Sequence, residues 1–208
     1  TSEAISLTRH AKEAGADGSL LITPYYNKPT QQGLYDHYKA ILEEVDIPII
    51  IYNVPSRTGV SISPETVARL SEFDNIVAIK EATGDIDQAS QILTLCDITV
   101  LSGDDSLTLP IMSIGGKGVV SVLANILPRE VSELTASIAK GDIKNSQKLH
   151  RSLFPLCKAM FIETNPIPVK TAMKLLGRLN GEMRLPLSKM SDKHEEQLKK
   201  VLNNHGLA

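Results

Sequence analysis

A lysine closes an otherwise apolar, β-branched run, Ile76-Val77-Ala78-Ile79-Lys80, one βα unit after Tyr52-Asn53-Val54-Pro55-Ser56-Arg57-Thr58-Gly59. Burial disfavours the charged form of an amine, so a lysine held inside a fold is expected to titrate low and to act as a nucleophile toward a keto group. Schiff-base chemistry is therefore the leading expectation. In an extended strand Ile76, Ala78 and Lys80 share one face, while Val77 and Ile79 share the other. If the small Ala78 marks the inside, Lys80 points inward. Tyr52 ends the preceding strand, and parallel neighbours about 4.8 Å apart bring its hydroxyl within reach of a group at Lys80, where a phenol can shuttle protons. Arg57 follows in a Pro-Ser-Arg-Thr-Gly turn, where its fork of donors suits a substrate carboxylate. Each residue also has a plain reading: a surface lysine closing a strand, a half-buried strand tyrosine, an exposed loop arginine.

Tyr25-Tyr26 sits in a loop after Pro24, in a chain with only 4% aromatic residues, and such pairs favour interfaces or pockets. The Gly115-Gly116-Lys117-Gly118 turn lacks the spacing of a P-loop or dinucleotide fingerprint and reads as a tight helix-to-strand connection. His10, His37, His150, His194 and His205 fall on expected helices or in the C-terminal tail rather than at strand ends, which argues against a metal-dependent aldolase. Cys96 and Cys157 form no Cys-x-x-Cys pair. No metal or cofactor is expected, and a reducing cytoplasm fits best.

These groups need a scaffold. The chain has 208 residues, 42% of them apolar, enough for one sizeable core. Its 22 basic and 24 acidic residues are dispersed, with no basic stripe to suit a phosphate backbone, so nucleic acid is an unexpected partner. No apolar run reaches a membrane-spanning length and no leader pattern opens the chain, so membrane insertion and secretion are not expected. Short β-branched runs at 19–23, 47–54, 76–80, 98–102 and 118–122 alternate with helical patterns at 30–45, 64–73, 85–95, 108–114 and 128–140. Ser63-Pro64 and Leu127-Pro128 are helix openings, and Gly15 and Gly141 are stops. A parallel sheet with crossover helices follows. From residue 142 the pattern is helical only, at 144–163, 168–176 and 192–204. The expected division is a partial (β/α) barrel over 1–141 and a C-terminal helical region over 142–208.

Five strands fit either an open sheet or a (β/α)8 barrel lacking its first three strands. Polar groups follow nearly every strand at its C-terminal end: Tyr25-Tyr26-Asn27, Tyr52 with Arg57, Lys80-Glu81 and Gly103-Asp104-Asp105. A barrel gathers all such loops at one mouth, whereas a doubly wound sheet gathers them only at its switch point, so the barrel is favoured.

The ordered motifs Thr23-Pro24-Tyr25-Tyr26-Asn27, Tyr52 to Gly59, Ile79-Lys80-Glu81-Ala82-Thr83-Gly84 and Leu101-Ser102-Gly103-Asp104-Asp105 together resemble the dihydrodipicolinate synthase family of pyruvate-dependent class I aldolases and lyases. The likeness extends through Asn165-Pro166-Ile167-Pro168-Val169-Lys170. It implies a lyase that condenses pyruvate with aspartate semialdehyde on the route to diaminopimelate and lysine. Lys80 is implied as the imine-forming residue, Tyr52 as a proton relay, and Arg57 as the binder of the semialdehyde carboxylate. Tyr26 is implied to enter the neighbouring subunit's relay across a tight dimer interface, in a dimer of dimers. Gly103 and Val120 are implied as backbone neighbours of pyruvate, and Glu3 and Tyr25 as contacts for lysine acting as feedback inhibitor. Other expectations are a sister enzyme acting on a sugar acid or a hydroxy-oxoglutarate, and a non-catalytic truncated paralogue. Members of the family carry three further strands upstream and a Gly-Thr-Thr-Gly-Glu turn that this chain does not contain, so poor activity of these 208 residues alone is expected.

Overall fold

The computed structural model describes residues 1–207, which pack as two compact units, 1–103 with 110–119 and 104–109 with 120 onward.

The first unit is built on five parallel strands in sequential order, β1 (Ser19–Ile22), β2 (Ile49–Asn53), β3 (Ile76–Glu81), β4 (Thr99–Ser102) and β5 (Gly118–Val119). Sequential parallel pairing needs a crossover between each pair, and the helices supply it. The first unit also holds α1 (Ser2–Glu13), α2 (Gln31–Glu44), a single turn α3 (Pro55–Thr58), α4 (Pro64–Leu70) and α5 (Ile86–Leu95), while α6 (Thr108–Ser113) runs into it from the second unit. Local chemistry fixes the helix starts. Thr30 and Ser63 accept from the amides of Gly33 and Thr66, and the Asp85 carboxylate accepts from those of Asp87 and Gln88. Leu34, Tyr38 and Ile41 of α2, Val67 and Leu70 of α4, and Ala89 and Ile92 of α5 are buried at helical spacing. They cover the sheet face of Ile49, Ile51, Ile79 and Val100, all fully buried, each side chain contributing about 1.5–3 kcal/mol. The opposite face is more open: Leu20 is 43% and Ile22 36% exposed.

Two strands of this sheet depart from the sequence pattern in ways that bear on the site. Ile49 pairs with Ile76 but Ile50 pairs with Ala78, so Val77 is an extra residue in β3. Val77 and Ile79 therefore do not share an environment, being 43% exposed and fully buried respectively. Ala78 and Lys80 nevertheless align with Ile50 and Tyr52. The last strand stops at Val119 rather than Val122 because the amides of Val122 and Leu123 donate to Asp105 Oδ2, at 2.9 and 3.0 Å, instead of to a ladder.

The second unit holds α7 (Pro128–Ala139), α8 (Ile143–Ala159), α9 (Ile167–Leu175) and α10 (Asp192–Asn204). Gly141, at φ +74°, and Asp142, whose carboxylate accepts from the Asn145 amide, turn α7 into α8. Leu134, Leu153, Leu156, Met160, Ala172, Leu198 and Leu202 form its core. Glu163 receives Ser191 N, Ser191 Oγ and His194 Nδ1 on one oxygen and so pins the start of α10. The helix expected over 144–163 ends at Ala159, four residues before this anchor.

Candidate active site

Register places Tyr52 beside Lys80 at the C-terminal ends of β2 and β3. Lys80 Nζ lies 3.9 Å from the centroid of the Tyr52 ring. The amine thus sits over the electron-rich face of the ring, an arrangement worth about 0.5–2 kcal/mol for a cation and one that fixes where the nitrogen rests. Both side chains are half-buried. Burial raises the Tyr52 pKa, with the positive charge of Arg57 pulling the other way. The phenol accordingly remains protonated throughout the neutral range, as a group that lends and recovers a proton must.

Arg57 stands on α3, exposed. Val54 carbonyl accepts from its amide, Pro55 occupies the first helical position, and Gly59 closes the turn at φ +73°. The Pro-Ser-Arg-Thr-Gly string therefore forms one helical turn that the apolar periodicity alone does not reveal, and it holds the guanidinium within electrostatic range of the phenol.

Gly103 follows β4. Its amide donates to Glu81 carbonyl at 2.7 Å, and a Cβ there would come 2.5 Å from the Ala82 Cβ. Only glycine permits this approach of two backbones beside Lys80. Val120 is half-buried and follows β5 directly in the chain, in the second unit. Tyr25 and Tyr26 follow β1 and are 67% and 89% exposed; Tyr26 is held at φ +68°, a conformation costly for a residue with a Cβ. Glu3 lies in the first turn of α1 and is exposed. The structure thus brings Lys80, Tyr52, Arg57 and Gly103 to the strand ends of one unit.

Two acidic residues that the sequence groups with the strand-end polar residues behave differently. Glu81 is 2% exposed and faces away from Lys80: Oε1 accepts from Thr83 N at 2.7 Å, and Oε2 from Asn53 Nδ2 at 3.1 Å and Gln88 Nε2 at 3.3 Å. Alternation was the available signal, since Glu81 and Asn53 have opposite parity to Lys80 and Tyr52. Asp105 is likewise buried, accepting from Ser121 Oγ as well as from the amides of Val122 and Leu123, so it caps the turn Leu123–Asn125. Nearby, burial first and then the charges of Asp105 and Asp104 push the Cys157 thiol up to about 12, which leaves it inert. Among the described residues no group of three His, Cys, Asp or Glu is placed to hold a metal ion, and no helix is long and apolar enough to cross a membrane.

A half-buried lysine stacked on a tyrosine at the C-terminal ends of adjacent parallel strands defines an α/β protein with its reactive groups at the strand ends. Residues 1–205 match the model of the Dihydrodipicolinate synthetase family, and the chain belongs to that family. It is 56% identical to the 4-hydroxy-tetrahydrodipicolinate synthase of Thermodesulfovibrio yellowstonii, covering 100% of this chain and 72% of that protein. A solved dihydrodipicolinate synthase from Aquifex aeolicus is 55% identical, with a TM-score of 0.96 over 99% of this chain and 71% of that one. The chloride-inhibited dihydrodipicolinate synthase of Acinetobacter baumannii, solved in complex with pyruvate, is 45% identical, with a TM-score of 0.96 over 99% of this chain and 72% of that one.

Proposed function

We propose that this chain carries the chemistry of 4-hydroxy-tetrahydrodipicolinate synthase, with Lys80 as the nucleophile. The amine adds to the keto carbon of pyruvate, water leaves, and the resulting iminium loses a methyl proton to become an enamine. The enamine carbon then attacks the aldehyde of aspartate semialdehyde, and the semialdehyde's own amine displaces Lys80 and closes the ring. Tyr52 carries protons during imine formation, and Arg57 holds the semialdehyde carboxylate in paired hydrogen bonds. Gly103 and Val120 contribute backbone beside pyruvate. The observation that carries this reading is the 3.9 Å approach of Lys80 Nζ to the Tyr52 ring, in a member of this family.

The same reading takes the sheet as strands four to eight of a (β/α)8 barrel and the stretch from residue 142 as its helical appendage. It assigns Tyr26 to the proton relay of a neighbouring subunit in a dimer of dimers, a role supported by its 89% exposure and its held left-handed backbone. Glu3 and Tyr25, both exposed, are the contacts for lysine as inhibitor. A cytoplasmic setting fits the substrates.

Arg57 tests the substrate assignment. Arg57→Ala is expected to raise the half-saturating concentration of aspartate semialdehyde about 10–100-fold, the worth of a charge-assisted bidentate contact, while pyruvate imine formation is unchanged. Equal handling of the semialdehyde by wild type and variant, or faster consumption of a sugar acid, would overturn the assignment.

A further inference from the structure

Beside the candidate nucleophile, on the other side of the sheet, lies a polar cluster that the chemistry above does not use. It is centred on Glu81, and its members come from β2, β3, α5 and the segments at 61–62 and 83. Besides receiving Thr83 N, Asn53 Nδ2 and Gln88 Nε2 on Glu81, the cluster ties Asn53 Oδ1 to Ile62 N at 3.3 Å and Gln88 Nε2 to Ile62 carbonyl at 3.0 Å. A carboxylate only accepts, and here three donors converge on it. A leucine would take this acceptor from all three donors and leave the Thr83 amide without it, and a glutamine would have to turn its own N–H2 against one of them.

The placement of the cluster gives it leverage. Asn53 and Glu81 are the register pair immediately after Tyr52 and Lys80. Because side chains alternate, the pair clamps β2 to β3 from the helix side and leaves the reacting face clear. The backbone hydrogen bonds of Ala82 N to Asn53 carbonyl, and of Gly103 N to Glu81 carbonyl, extend the same clamp toward β4.

We propose that Glu81 is a positioning residue: through Asn53 its buried carboxylate holds the ends of β2 and β3 in the register that sets Lys80 Nζ against the Tyr52 ring. This rests on the reading of Lys80 and Tyr52 given above. The energetics point the same way, since burial raises the Glu81 pKa, opposed by hydrogen bonds from Thr83, Asn53 and Gln88. A raised carboxylate pKa favours the folded state below the ordinary carboxylate range and loses that benefit as pH rises through the folded value, so ionising this group costs stability. A buried carboxyl group kept at such a cost next to a reactive lysine is a candidate for function rather than for fold.

The test measures the rate at which pyruvate and borohydride label the chain, corrected for folded fraction. Glu81→Gln and Asn53→Ala are each expected to slow labelling about 10–100-fold, the scale of a misplacement of about 1 Å, with the half-saturating pyruvate concentration unchanged because neither side chain touches substrate. The double variant is expected to be no slower than the slower single one. Gln88→Ala also removes hydrogen bonds from the cluster but leaves the link between β2 and β3, and its labelling rate is expected to stay within about threefold of wild type. If Glu81→Gln does not fold, the contrast between Asn53→Ala and Gln88→Ala decides. Wild-type labelling by Glu81→Gln, or equal slowing by Gln88→Ala, overturns the proposal alone. No labelling of the wild-type chain overturns the reading of Lys80, and this proposal with it.

Discussion

The two faces of the parallel sheet use the same five strands for different ends. Toward α2, α4 and α5 the side chains of Ile49, Ile51, Ile79 and Val100 are sealed, and the polar residues among them, Asn53 and Glu81, are hydrogen-bonded. Toward the other side Leu20 and Ile22 are partly open, and the row across the strand ends runs through Ile22, Tyr52, Lys80, Leu101 and Gly118. Cohesion is concentrated on one face and reactivity on the other, a division that a two-residue period makes possible at no cost in chain length. A substitution should therefore change either the chemistry or the stability, according to its parity, with Asn53 and Glu81 as the pair that couples the two faces.

The largest effect should come from the reactive face. Tyr52→Phe is expected to slow pyruvate imine formation about 10²–10⁴-fold, the usual worth of a positioned proton-transfer group, with little change in Tm because the ring remains. A comparable loss of Tm would break the division. One residue before Lys80 in β3, Ile79→Ala should do the reverse. It should destabilise the chain by about 2–5 kcal/mol in urea unfolding, while labelling per folded molecule stays near wild type. Smaller still, Ser63→Ala removes the cap of α4 on the sealed side and should cost about 1 kcal/mol without touching the labelling rate. A further effect appears only in acid. Burial holds the His37 pKa down at about 4. The unfolded chain therefore takes up this proton first, and stability should fall as pH drops from about 6.5 toward about 4, a slope that His37→Gln should flatten in Tm measured against pH.

Much of the scaffold was legible because it rests on local signals. The β-branched runs, the cap at Ser63 and the stops at Gly15 and Gly141 each depend on a few neighbouring residues. The bulge at Val77 was not, since only the pairing of Ile49 with Ile76 and of Ile50 with Ala78 reveals it. Likewise Val120 to Val122 read as strand, and it is Asp105, distant in sequence, that takes the amides of Val122 and Leu123. At the site, the types and spacing of Lys80, Tyr52 and Arg57 announced themselves as candidates, while the single turn that carries Arg57 was too short to leave a period. Glu81 was legible as a polar residue at a strand end but not as one turned inward, because its meaning depends on Asn53 and Gln88, 28 residues before it and 7 after it.

The central claim is that Lys80 is the amine that captures pyruvate, and mass mapping of the borohydride-reduced chain tests it most directly. Incubation with pyruvate and borohydride should add one reduced pyruvate unit, confined to the peptide that contains Lys80, and Lys80→Ala should abolish it while leaving the circular dichroism spectrum unchanged. Label spread over other lysines, or retained in folded Lys80→Ala, would contradict the account.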